Sequence, residues 1–391
     1  MKRQIRLILT AIFMFVAVAV TAQDNFYEEL VDKGYDIIII ENKGVKEYYE
    51  DRSYDDPKRT SDYNHSIVKK YSTGSSSRPA GIMLNWYSST PVNDISKVIV
   101  TLVESDIEMD ESILDEDLTN ENVKYYYPNT NKKEYLLCNM CPDKYCYYKI
   151  EEVLHNGQRT IVDSGRFYTY GKIRMLRVDG MVNVRDFGGW YTSFDKEVVY
   201  GRLFRGNRPK GITPTGKNDF VKNEHITADL DLRGITTFTE SPLGPEVEFF
   251  STDNQRYKIA LTGRTQVFVK DLDFIASVLR RGGNVFLHCN HGTNRAGTLS
   301  FLIEGILGLN EADLSREYEL SSFAYGISRS PKFGDMFPVI RSYGEANDDL
   351  AQCFYNYARS IGVSEKTLDT IRCVMLGLSP NDTRILDAHR R

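Results

Sequence analysis

At 391 residues, 41% of them apolar and 26% charged, the chain has the make-up of a globular protein long enough for two separate cores. A net charge of -5 offers no basic footprint for a phosphate backbone, so nucleic acid is excluded as an expected partner. The 25 Tyr and 19 Phe fit β-rich structure in part of the chain.

The N-terminus has the form of a processing signal. Lys2, Arg3 and Arg6 precede the apolar run "LILTAIFMFVAVAV", and Thr21-Ala22-Gln23-Asp24 turns polar. A basic start, a short greasy core and a small residue at the switch predict a cleavable signal peptide over 1–22. The run is short for a membrane span. No stable span is expected after cleavage, and the mature chain is expected to be secreted or periplasmic.

Residues 23–77 open with an apolar strand, "DIIII", and then become charged and Tyr-rich, while "STGSSSRP" (72–79) reads as a connector. From Gly81 the runs "GIMLNWYSS", "KVIVTLVES", "KEYLLCNM", "CYYKIEEV" and "RTIVDSGRFYT" alternate with Asn, Asp, Pro and Gly turns. That spacing predicts an all-β sandwich, antiparallel and of immunoglobulin or fibronectin type III kind, with Trp86 as a core aromatic. With its N-terminal extension this unit takes residues 23–171, and it shows no catalytic constellation. Its expected role is spacer or docking domain.

Cys138, Cys141 and Cys146 cluster in "CNMCPDKYC", but a zinc site there lacks a fourth local ligand. Cys353 and Cys373 lie near the C-terminus, where a disulfide between them would staple two helical segments in an oxidising compartment.

After about Lys172 the pattern changes. "ITADLDL" and "GNVFLH" are compact apolar strands, whereas "DLDFIASVLRR" (271–281), "AGTLSFLIEGILG" (296–308) and "LSREYELSSF" have helical periodicity. Alternating strands and helices predict an α/β domain over 172–391, a central sheet flanked by helices. Two further helices follow, around "DDLAQCFYNYARSIG" and "SEKTLDTIRCVML", the second capped by Ser364.

Between the strand "NVFLH" and the helix "AGTLSFLIEGILG" stands "CNHGTNR". A short loop in that position aims backbone N–H groups inward at a helix N-terminus, which makes an anion cradle. Asn290, His291, Gly292, Thr293, Asn294 and Arg295 are therefore the candidate phosphate-binding residues. Cys289 at the floor feels the same field, which favours the nucleophilic thiolate. Arg295 is suited to grip two phosphoryl oxygens, and Gly292 permits the turn. His288 is expected outside the anion contacts.

The stretch "HCNHGTNRAGT" (288–298) resembles the His-Cys-x5-Arg loop of the cysteine-dependent protein tyrosine phosphatases. "NVRDFGGW" (183–190), "YGRLFRG" (200–206) and "ADLDLRG" (228–234) occur in the order seen in a bacterial branch that includes secreted mycobacterial enzymes, so the resemblance covers roughly 172–330. It implies hydrolysis of a phosphotyrosine-containing protein or a small phosphomonoester through a cysteinyl-phosphate intermediate, with no metal and no cofactor. Cys289 takes the nucleophile's place and Arg295 that of the phosphate-binding cation.

Two positions depart from that family's pattern. Asn294 stands where the branch often has an acidic proton donor, and Ala296 where a Ser or Thr helps the thiolate leave, with Thr298 two residues on. Without Asn294 as an acid, Asp253 in "VEFFSTDNQ" becomes the candidate general acid; Asp271 and Asp273 look like helix-opening charges. Arg185 and Asp186 are expected to pair with each other or border the pocket. Arg205 is expected to meet either phosphate or a carboxylate, and Asp231 and Arg233 to anchor a strand end, with Glu240 a possible partner for Arg233. The alternatives to an exported phosphatase are a phosphate-binding module that has lost turnover and an inositol-phosphate phosphatase. The absence of Lys at Thr293 weighs against phosphoinositides.

Overall fold

The computed structural model describes residues 23, 25–51, 70–72, 77–115, 122–234, 239–325, 331–378 and 383–387. The predicted signal over 1–22 lies outside the described residues, as do residues 73–76 of the connector. No helix among the described residues is long and apolar enough to cross a membrane.

Two sheets build the N-terminal half. β1 (Asp36–Ile39), β3 (Ile95–Ser105), β4 (Val123–Tyr126), β6 (Lys144–Leu154) and β7 (Arg159–Tyr170) form a five-stranded sheet in the order β1-β7-β6-β3-β4. β2 (Ile82–Asn85) pairs antiparallel with β5 (Glu134–Leu137) in a second sheet. Leu84, Trp86 and Leu137 from the smaller sheet meet Val98, Val100, Leu102, Ile150 and Phe167 from the larger. Val98, Val100 and Leu102 are two residues apart, so they share one face of β3. The "DIIII" strand is formed as β1 and pairs parallel with β7, whereas the other pairings in these two sheets are antiparallel. β4 has no counterpart in the sequence reading: "VKYY" is too short and too polar in its surroundings for alternation to stand out.

The second half holds a sheet of β8 (Arg185–Asp186), β9 (Leu203–Asn207), β10 (Ile226–Asp231), β11 (Glu248–Ser251) and β12 (Asn284–Cys289), in the order β11-β10-β12-β9-β8. All neighbours are parallel except the short edge strand β8. Both faces are covered, as a parallel sheet requires. Val285 and Leu287 of β12 point into a large cluster with α3 (Gln266–Arg280) and α4 (Asn294–Ile306), and Phe286 points to the opposite cluster with Phe204 and Phe220. This is the α/β architecture expected.

The N-terminal extension is split between the halves. α1 (Lys43–Glu50) places Val45 and Tyr48 in the second half's core, where Tyr48 meets Phe323 and Tyr49 meets Trp190. None of the six cysteines is in a disulfide, so the anticipated Cys353–Cys373 staple is not formed. The two helices dock on different neighbours: Phe354 of α6 (Leu350–Ser360) packs on Phe301, and Thr367 of α7 (Glu365–Met375) donates to Asp273 on α3 at 2.6 Å. Cys353 lies against the turn at Gly344 instead.

A buried charge cluster joins the halves. Arg174 holds Asp186 at 2.9 Å and Glu224 at 2.7 Å, and also donates to the carbonyls of Asn139 and Met140. Lys124 bridges Glu104 (2.9 Å) and Glu224 (3.2 Å). The open edge of β4 is closed by side-chain amides: Tyr125 donates to Asn223, and its carbonyl accepts from Asn218 and Asn223, which protects an edge strand from foreign pairing. Removing one partner of such a cluster leaves a buried charge uncompensated. Arg174→Met is expected to lower the free energy of unfolding by about 3–5 kcal/mol, read as a shifted midpoint in urea denaturation.

Candidate active site

The sheet delivers Cys289 at the C-terminal end of β12, and α4 begins five residues later at Asn294. The loop between them is fixed from behind by donors that take its carbonyls. Asn183 Nδ2 (2.9 Å) and Tyr325 Oη (2.7 Å) donate to the His291 carbonyl, and Arg205 Nη2 donates to that of Gly292 at 2.8 Å. In a trans peptide the following N–H points opposite to the carbonyl. The amides of Gly292 and Thr293 are therefore turned away from Arg205 and Asn183, toward the open side. Gly292 sits at φ 69°, and a Cβ there would come within 2.2 Å of the Gly206 carbonyl oxygen. Only glycine fits that turn against β9.

The open side is a cavity of about 420 Å³. Cys289, Asn290, His291, Thr293, Asn294 and Arg295 line it, together with Gln255 and Arg256 from the segment before α2 (Tyr257–Thr262). Of the candidate phosphate-binding residues, only Gly292 lies outside the lining, packed behind the loop. No carboxylate lines the cavity among the described residues, whereas two guanidiniums do. The site is built to attract an anion.

Buried charge beneath the loop strengthens that bias. Glu317 on α5 (Glu311–Glu319) receives Arg185 Nε at 2.7 Å on one oxygen and Arg205 Nη1 at 2.5 Å on the other. Burial, reinforced by the Glu317 charge, pushes the Glu304 carboxyl well above the usual carboxylate range. Arg185 and Arg205 thus share the Glu317 carboxylate beneath the loop. Burial and the neighbouring Arg185 pull the Arg205 pKa down.

The remaining predicted residues are placed as follows. His288 is fully buried, stacked on Phe286, with Nε2 3.0 Å from Asp229; the angle there is too poor for a hydrogen bond. It is outside the anion contacts. Asp253 is not brought to the cavity: its carboxylate is exposed and pairs with Arg264 at 2.7 Å. Asp271 and Asp273 do not open a helix, since α3 begins at Gln266. Asp271 instead accepts from Thr252 Oγ1 and Asn254 Nδ2, both at 2.7 Å, and so anchors the segment that leads to Gln255 and Arg256. Thr298 is also committed elsewhere, donating to the Asn294 carbonyl and accepting from the Tyr257 amide, both at 2.8 Å. Arg185 and Asp186 do not pair with each other, because adjacent strand residues point to opposite faces; Arg185 meets Glu317 and Asp186 meets Arg174. Arg205 meets a carboxylate rather than the cavity. Arg233 grips Asp231 at 2.7 and 2.8 Å, the strand-end anchor anticipated, while Glu240 is exposed. Glu317, Asn183 and Tyr257 were not foreseen, because their partners are far away in sequence.

A mostly parallel sheet whose central strand ends in a cysteine, at a loop that opens a helix, defines an α/β protein with a cysteine loop. The model of the tyrosine phosphatase family matches residues 176–376, and the chain belongs to that family. Among solved structures it is similar to the human tyrosine phosphatase-like serine/threonine/tyrosine-interacting protein, at 15% identity, covering 36% of this chain and 92% of that one with a TM-score of 0.28. No curated protein matches the chain.

Two outcomes follow from the geometry. Arg205→Leu strips Glu317 of one partner and frees the Gly292 carbonyl, so a loss of about 3–5 kcal/mol is expected in thermal or chemical unfolding. Burial pushes the Asp271 carboxyl from its ordinary 3.8 up to about 6, against the hydrogen bonds from Thr252 and Asn254. The folded state then binds that proton more tightly than the unfolded state. Its contribution is greatest below pH 3.8 and is lost as the pH rises to about 6, a change of about 3 kcal/mol. The stability of Asp271→Asn relative to the unsubstituted protein is expected to improve by about that amount across the window, measured by denaturation at a series of pH values.

Proposed function

We propose that the protein is an exported phosphomonoester hydrolase of the tyrosine-phosphatase type that works through a cysteinyl-phosphate. The observation that supports this best is Cys289 at the floor of a cavity lined by Arg295 and Arg256 and by no carboxylate among the described residues. In the first step the Cys289 thiolate attacks phosphorus, an S–P bond forms, and the ester P–O bond breaks. In the second, water attacks phosphorus, the S–P bond breaks, and phosphate leaves with the thiolate restored. Arg295 and the loop amides stabilise the equatorial charge in both steps.

The leaving oxygen in this reading departs as an anion, since Asn294 has no acidic proton and Asp253 is held by Arg264. A phenolate tolerates that far better than an aliphatic alkoxide, so the preferred substrates are aryl phosphates such as a phosphotyrosine-containing protein. Export rests on the signal expected over 1–22, and an immunoglobulin-like docking role is proposed for the N-terminal β unit.

A second reading, a phosphate-binding module with impaired turnover, is favoured by Thr298: its hydroxyl is occupied by Asn294 and Tyr257 and does not face the thiolate. Purified protein given an aryl phosphate decides between the two. Sustained phosphate release that disappears in Cys289→Ser, with alkyl phosphates slower by about 10²-fold or more as expected without a general acid, supports the hydrolase. One equivalent of phenol followed by a trapped phosphoprotein supports the binding module.

A further inference from the structure

We propose that Tyr257 is a positioning residue that locks the Asn294 carboxamide with its NH2 group toward the cavity, making Asn294 a neutral donor to the bound oxyanion. The proposal rests on the anion-site reading above and assigns the chemistry of the one loop position where an acid was expected.

Tyr257 Oη donates to Asn294 Oδ1 at 2.8 Å, and a phenol has a single proton to give. The contact of 2.9 Å between the Tyr257 and Tyr318 hydroxyls must then have Tyr318 as donor. The relay runs Tyr318 to Tyr257 to Asn294, and it ends on the carboxamide oxygen. The carboxamide oxygen is thereby taken, and Asn294 lines the cavity.

Each member of the relay is held independently. Tyr318 is fully buried and stacked on Phe333 at 4.2 Å. Tyr257 is buried at φ 58°, a backbone conformation uncommon for a bulky residue. Its amide donates to Thr298 Oγ1, which in turn donates to the Asn294 carbonyl, so Tyr257 grips residue 294 by side chain and main chain together. A carboxylate at this position would lose the donor and set a negative charge against the bound anion.

The test measures binding of sulfate, a tetrahedral dianion with constant charge at mild pH, to the full chain carrying Cys289→Ser, by isothermal titration. Tyr257→Phe is expected to weaken sulfate about tenfold although the lost hydroxyl itself touches no ligand, and Asn294→Ala by a similar factor. The double variant is expected to be no weaker than either single one, because both remove the same donor. Asn294→Asp is expected to add a pH dependence, with affinity falling as pH rises through the carboxyl range. Sulfate binding that is unchanged in Tyr257→Phe, losses that simply add in the double variant, or a flat pH profile in Asn294→Asp would each overturn the proposal while leaving the anion site standing. Should Tyr257→Phe fail to fold, the pH profile of Asn294→Asp still decides. No sulfate binding by the Cys289→Ser protein itself would overturn the anion-site reading together with this inference.

Discussion

Glu317 shared between Arg185 and Arg205 is the interaction on which the site depends. One carboxylate fixes two guanidiniums, one from the edge strand β8 and one from its neighbour β9, and Arg205 then holds the Gly292 carbonyl. Together with Asn183 and Tyr325 on the His291 carbonyl, that anchor keeps the loop's carbonyls turned into the protein. All three side chains are buried, so the geometry is over-determined, and a charge cannot leave without a large desolvation penalty falling on its partners. The same cluster sets two guanidiniums beneath the loop that carries the cysteine. Architecture and electrostatics are one device here.

The two halves of the chain are joined by similar chemistry one residue away. Arg185 and Asp186 are neighbours on β8, and their side chains leave on opposite faces. Arg185 runs to the loop through Glu317; Asp186 runs to Arg174, Glu224, Lys124 and Glu104 at the seam with the β unit. A two-residue strand thus stands between the anion site and the other half of the molecule. Asp186 also takes the amides of Gly188 and Gly201 at 2.9 and 2.8 Å, which pins the strand's exit.

Much of the site was legible because its signal is local. The cysteine, the arginine six positions on, the glycine between them and the strand and helix on either side all lie within two dozen residues, and their spacing alone implies a cradle. The longer helices α3 to α7 were also legible as apolar stretches, although α3 begins at Gln266 rather than at Asp271 and α2 had no counterpart in the sequence reading. The short strand β4 and the parallel pairing of β1 were not, because neither four polar-flanked residues nor the sign of a pairing leaves a periodic trace. Asp253 had the right sequence distance for an acid, yet Arg264 holds it on the surface; the residues of that segment that do reach the cavity are Gln255 and Arg256.

By itself the sequence determined the cysteine, the arginine six positions on, the loop that joins them and the alternation of strands and helices that sets them in place. These are properties of residue type and short spacing, and they survive any arrangement of the remaining chain. Only the tertiary structure decided which carboxylate neutralises which arginine, where Asp253 and Thr298 are occupied, and which hydroxyl holds the Asn294 side chain. Those outcomes depend on partners 11 to 132 residues apart, and close packing rather than local preference brings such groups together.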